Sequence, residues 1–223
     1  MRSRADGLAA PLVAAVFVAF AATNAHSTFN AFRSAFRDGG LDSWALATNA
    51  AVKTGVVVTF AVFVLLRPAS RRPSREPLAF VACFTALAAV VVLRRPSEAT
   101  SAGLVLAGDV VATLAFCWVL WSALALGRCF GVLPEVRGLV TAGPYRLVRH
   151  PVYLGELTAA AGLTLAAPTS WNAGVLAAFV IAQAVRMRLE ERALADAFPE
   201  YRAYAARTPR LVPRLPLRSG AGA

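Results

Sequence analysis

Leu139-Val-Thr-Ala-Gly-Pro-Tyr-Arg-Leu-Val-Arg-His-Pro-Val-Tyr-Leu-Gly-Glu156 is a polar island in an apolar chain. Within a few turns it gathers Tyr145, Arg146, Arg149, His150, Tyr153 and Glu156. Gly143 and Pro144 mark a turn, and Pro151 stands where a helix can begin, because the first helical position needs no backbone N–H. Beyond Pro151 the residues turn apolar again. The stretch therefore reads as a polar loop that feeds a membrane helix. A loop of cations and aromatics at a membrane face suits a small charged ligand.

The rest of the chain gives this loop its setting. Of 223 residues, 58% are hydrophobic and only 16% charged, and the apolar residues fall in long blocks. That pattern predicts an all-α, polytopic integral membrane protein. Its elements are about five to six apolar helices, including a carboxyl-terminal helical hairpin, followed by a cytoplasmic carboxyl-terminal helix. The predicted apolar helices cover residues 8–22, 44–66, 77–93, 103–126, 151–167 and 174–185. A mixed loop is expected at 23–43, a basic loop at 67–76 and a turn at 168–172. Beyond Arg186 the chain reads as polar and helical, and 214–223 as a disordered tail. Three parts result: helices of unassigned role over 1–102, a motif-bearing core over 103–213, and the tail.

The net charge of +11 is almost all arginine. In a soluble protein such a balance would suggest nucleic acid. Here the arginines flank apolar blocks, so topology and anionic headgroups account for them and no nucleic-acid partner is expected. If the amino terminus is cytoplasmic, 18 arginines fall on that side and four on the other. The asymmetry places both termini and the 127–150 loop in the cytoplasm. Two charges, Lys53 and Asp109, lie inside predicted spans at similar depth, which suggests a buried pair, either an ion pair that joins two helices or a pair placed near a substrate cavity. Cys83, Cys117 and Cys129 read as small core residues. The two histidines, His26 and His150, have no metal-ligand spacing, so no metal is expected. No Gly-x-Gly-x-x-Gly follows a strand, which argues against a soluble dinucleotide-type domain.

Taken together, several elements resemble the isoprenylcysteine carboxyl methyltransferase family, itself related to the phospholipid methyltransferases. They are Leu126-Gly-Arg128 with Phe130-Gly131, the Arg149-His-Pro-x-Tyr-x-Gly155 element, and Arg186-Met-Arg-Leu-Glu-Glu191. Phe198-Pro-Glu-Tyr-Arg-Ala-Tyr204 and Thr208-Pro-Arg-Leu-Val-Pro213 complete the set. The likeness covers roughly residues 103–213. It implies a membrane transferase that uses S-adenosylmethionine and methylates a lipophilic or lipidated acceptor among membrane lipids, most typically at a carboxylate. Carried over by position, the resemblance puts cofactor contacts at Arg137, Gly138, Leu139, Val140, Tyr145, His150, Pro151, Val152, Tyr153 and Glu190. It makes Arg186 the catalytic residue that faces the substrate. The arginine- and alanine-rich composition suggests a high-GC bacterium, hence a bacterial inner membrane with the site facing the cytoplasm.

The physical chemistry agrees with that implication. Free N–H groups at a helix start meet a carboxylate, and Tyr145 and Tyr153 offer ring faces to adenine or a sulfonium. Arg186 and Glu190, four apart, share a helix face. A carboxylate acceptor is already ionised at neutral pH and needs only to be held in line; an amine or phenol would need a base such as His150 or Glu156. Simpler roles stand beside these. Arg146 reads as an interfacial anchor, His150 as a helix cap, Glu191 as a partner of Arg188, and Tyr201 and Tyr204 as packing residues. The alternatives to the methyltransferase are a membrane NADPH-dependent sterol- or steroid-type reductase, which shares an Arg-His-Pro-x-Tyr element, and a non-catalytic membrane binding module.

Overall fold

The computed structural model describes residues 4–66, 76–97, 99–129 and 137–213. Phe130-Gly131 and the tail beyond 213 lie outside them. Seven α-helices follow in chain order: α1 (Arg4–Asp38), α2 (Leu41–Leu66), α3 (Pro77–Val92), α4 (Ala102–Leu126), α5 (Pro151–Ala166), α6 (Ser170–Ala197) and α7 (Tyr201–Arg207). No strand occurs among the described residues. Among the described residues three helical segments, Ser43–Leu66, Ala102–Leu126 and Ser170–Ala197, are long and apolar enough to cross a membrane. Their outward faces carry apolar side chains such as Leu114, Leu124 and Ile181, which are exposed. The protein is an α-helical membrane protein, as its composition predicts.

Two helix ends differ most from the expectation. The predicted loop at 23–43 is largely helical, because α1 runs unbroken to Asp38. Residues 23–38 contain neither glycine nor proline, so nothing stops the helix until Gly39-Gly40, where Gly39 takes φ +66°. Likewise α6 does not break at Arg186. It continues from Ser170 to Ala197 and so carries Arg186, Glu190 and Glu191 on the same rigid rod as its apolar part.

The expected hairpin is splayed. α5 packs chiefly on α4 and α6 chiefly on α3, with few contacts between α5 and α6. Glycines let α4 and α5 approach: a β-carbon on Gly162 would come within 2.8 Å of the Gly108 oxygen and the Ala112 nitrogen. Such close backbone contact is how membrane helices gain packing energy where lipid offers no hydrophobic drive. α6 is fastened to α3 at the far end. The buried Asn172 amide donates to the Arg94 and Ala167 carbonyls and accepts from the Arg94 N–H, while the Trp171 indole donates to the Val92 carbonyl. With α5 held by α4 and α6 by α3, a cavity opens between them.

The Lys53–Asp109 pair does not form. Lys53 faces this cavity, whereas Asp109 belongs to a separate recess with Ala45, Ala102, Val105 and Leu106. Asn49, one turn before Lys53, donates instead to the Asp109 carbonyl and to Thr113. The cysteines are not all core residues: Cys83 is buried, but Cys129 is half-buried and Cys117 is exposed.

Candidate active site

The cavity has a volume of about 210 Å³, far above the roughly 15 Å³ that one water needs. It is therefore large enough for a ligand. Its polar end, the floor, is built by the 137–150 loop, the start of α5, the end of α6 and α7.

The loop is shaped by a single 3₁₀ turn, Gly143–Arg146. Gly143 adopts φ +59°, a conformation L side chains rarely take. Pro144 then fixes the turn and brings Tyr145 inside, 7% exposed. Burial first, and then the carboxylate of Glu190, hold the Tyr145 phenol well above its ordinary range, so it stays a neutral donor. Pro151 starts α5 and is fully buried; its carbonyl accepts from the Trp118 indole at 2.8 Å, which ties the helix start to α4.

Side chains from α5 and α6 close the floor. The Tyr153 hydroxyl donates to Glu190 Oε2 at 2.8 Å. His150 Nε2 and Glu191 Oε1 are 3.0 Å apart. The Gln183 amide donates to Glu156 Oε2 at 2.5 Å, and Arg186 Nη1 donates to Gln183 Oε1 at 2.7 Å. The Arg186 guanidinium lies 3.9 Å from Glu156 and stands over the Tyr153 ring, 5.0 Å from its centroid. Segments 37 residues apart, at Tyr153 and Glu190, thus meet directly.

A strap from the carboxyl-terminal part of the chain holds this arrangement. The Arg149 and His150 N–H groups donate to the Pro209 and Arg210 carbonyls at 2.8 and 3.2 Å. The Tyr204 hydroxyl donates to the Tyr145 carbonyl at 2.7 Å; burial pushes its pKa up to about 12, so it remains a donor. Glu191 meets Arg149, His150 and both donor arms of Arg210. It does not pair with Arg188, which is exposed. Glu191 is therefore a tether between α6, the loop and the strap. His150 does not cap α5 with its side chain; that side chain reaches across to Glu191 instead.

Nine of the eleven residues expected at the site line the cavity: Gly138, Leu139, Val140, Tyr145, His150, Val152, Tyr153, Arg186 and Glu190. Arg137 and Pro151 do not. Pro151 is sealed against α4, and Arg137, the first residue of the loop, lies half-buried. Arg146 is exposed, as an anchor would be. Tyr201 and Tyr204 are buried and also reach the cavity.

Apart from the reading that set Lys53 near a substrate cavity, the expectation gave the first three helices no part in the site. Phe20 of α1, Lys53, Val56 and Phe60 of α2, and Cys83 and Leu87 of α3 all face the cavity. Their sequence signal is only apolarity, which every span shares; Lys53 alone stood out.

Comparison with known proteins agrees with the geometry. Residues 97–201 match the profile of the phospholipid methyltransferase family. The chain is 46% identical over 83 residues to the cobalt-zinc-cadmium resistance protein CzcN of Cupriavidus metallidurans, a match that covers 37% of this chain and 38% of that protein. It is 37% identical over 119 residues to the nickel-cobalt-cadmium resistance protein NccN of Alcaligenes xylosoxydans xylosoxydans, covering 52% and 53%. The chain thus spans about half the length, or less, of these curated relatives. The matched segment, 97 to 201, carries most of the cavity floor, and it is there that the chain is similar to the phospholipid methyltransferase family.

Proposed function

We propose that the protein is an S-adenosylmethionine-dependent methyltransferase that acts on a lipophilic acceptor reaching the cavity from the bilayer. One observation carries this reading: Tyr145, His150, Tyr153, Arg186 and Glu190, distant in sequence, line one end of one cavity. The residues fit the donor's chemistry. Tyr153 occupies one oxygen of Glu190, which leaves the other to accept from a ribose hydroxyl or an ammonium. Tyr145 and Tyr153 supply ring faces for adenine or the sulfonium. When bound, that group supplies an electrophilic methyl. The chain's own part is to bind it, exclude water and orient the acceptor.

A carboxylate is the acceptor group that the floor supports best, as in isoprenylcysteine carboxyl methyltransferase-like O-methylation. His150 is engaged by Glu191, and Glu156 by Gln183 and Arg186. Both potential bases are committed to protein partners, whereas an ionised carboxylate needs none. Arg186 is the cation that would hold it. On the arginine count, the floor faces the cytoplasm of a bacterial inner membrane.

The relatives' names favour a second, compatible reading, a role in resistance to cobalt, zinc, nickel or cadmium. We take this second reading to run through methylation of a membrane acceptor.

The test is methyl transfer from labelled S-adenosylmethionine into a membrane lipid extract. Glu190→Ala and Arg186→Ala are each expected to lose about 100-fold in rate, the order expected when a positioning contact at the reacting centre is removed. Equal label in all three proteins would refute the assignment. If Glu190→Ala restores metal tolerance to a deletion strain as well as wild type does, resistance does not depend on methylation.

A further inference from the structure

Lys53 is a charge the floor does not explain. It lies mid-way along the candidate span Ser43–Leu66, is half-buried and lines the cavity. The other charged residues that line the cavity have partners. Arg149 meets Glu191, Arg186 meets Glu156 and Gln183, and Glu190 accepts from Tyr153. Among the described residues no carboxylate pairs with Lys53, and the neighbouring charge that acts on it is Arg95, another cation. An ammonium inside a span is costly and is normally kept where it meets an anion or lines a cavity that serves a ligand.

Its position separates it from the floor. Val56 packs with Val119 of α4 and with Val152 in the first turn of α5. Lys53 stands one turn further from that end, about 4.5 Å along the axis. A helical side chain leans toward its helix's amino terminus, which for α2 leads further from the floor. Apart from Lys53 and the floor, the lining is largely apolar, with Val57, Ala86, Ala89, Phe116, Ala159 and Phe179.

We propose that Lys53 binds an anionic oxygen group, a carboxylate or phosphate, on an amphiphile whose apolar part fills the middle of the cavity. The anionic group is remote from the atom methylated at the floor. This rests on reading the cavity as the acceptor chamber of a methyltransferase, and it narrows the acceptor to amphiphiles that carry a second, negatively charged pole.

The experiment uses the purified full chain in neutral detergent, with ligand-induced thermal stabilisation as the readout. Dodecyl phosphate, dodecanoate and dodecanol share one tail and differ in the head. Wild type is expected to bind at least one of the two anions about tenfold more tightly than dodecanol, the equivalent of one charge-assisted hydrogen bond. Whichever anion shows the preference identifies the group. Lys53→Met is expected to lose that preference and Lys53→Arg to keep it, while S-adenosylmethionine affinity stays at the wild-type value in both. An undiminished preference in Lys53→Met overturns the proposal, and so does a wild type that binds dodecanol as tightly as both anions, a result that stands even if the methionine variant fails to fold. Failure of wild type to bind S-adenosylmethionine would instead strike at the methyltransferase reading.

Discussion

At the floor of the cavity, Tyr153 and His150 each reach a carboxylate of α6, at 2.8 and 3.0 Å. The walls supplied by α2 and α3 meet the same space with Val56, Val57, Phe60, Ala86 and Leu87, and with the ammonium of Lys53. The floor is thus fixed by directional bonds between side chains far apart in sequence. The walls are fixed by shape and by what their helices pack against. A bonded floor is pre-arranged and intolerant of like-sized replacements, because removing one partner strands the other. An apolar wall tolerates replacements that keep its volume.

Substitutions can break or sharpen that contrast. The largest effect is expected where both regions hang on one seam. Gly162→Leu drives a side chain into the backbone of α4, and we expect it to cost at least about 3 kcal/mol, read as loss of monodisperse protein after detergent extraction. Gly174→Leu, with open space around the site, is expected to behave as wild type.

Next comes the tether. Glu191→Ala leaves Arg149, His150 and Arg210 facing one another without their shared carboxylate. A cost of about 2 kcal/mol is expected in thermal melts, with weaker donor binding because the loop and α6 are no longer joined. An unchanged melt would mean the floor is not held by this cluster. Tyr204→Phe removes the bond to the Tyr145 carbonyl and is expected to cost about 1 kcal/mol. The smallest effect belongs to the wall: Leu87→Met, which keeps the volume, is expected to shift stability by less than about 1 kcal/mol and to leave S-adenosylmethionine affinity unchanged, both measurable in one titration series.

The same contrast explains what was legible beforehand. Apolar blocks announce helices, and the ends of α3, α4 and α5 fall within a residue of their expected positions. The continuation of α1 to Asp38 was not legible, since its polar residues mimic a loop although no breaker interrupts them. The floor could be read from motif-bearing residues such as Tyr153 and Glu190. The real partners of Glu191 could not, because Arg149 and Arg210 lie 42 and 19 residues away and only the fold makes them neighbours. Apart from Lys53, the lining role of α1 to α3 was silent for the same reason: a valine that faces a cavity has the same letter as one that faces lipid.

The most direct test of the account is equilibrium titration of the purified protein with S-adenosylmethionine, comparing wild type with Tyr153→Phe and Glu190→Gln. We predict a single site in wild type. Each variant should bind at least about tenfold more weakly, and the double variant should lose less than the sum of the two, since coupled neighbours are not additive. A well-folded wild type that binds no donor, or a Glu190→Gln variant that binds as tightly as wild type, would contradict the claim that α5 and α6 together hold one methyl donor.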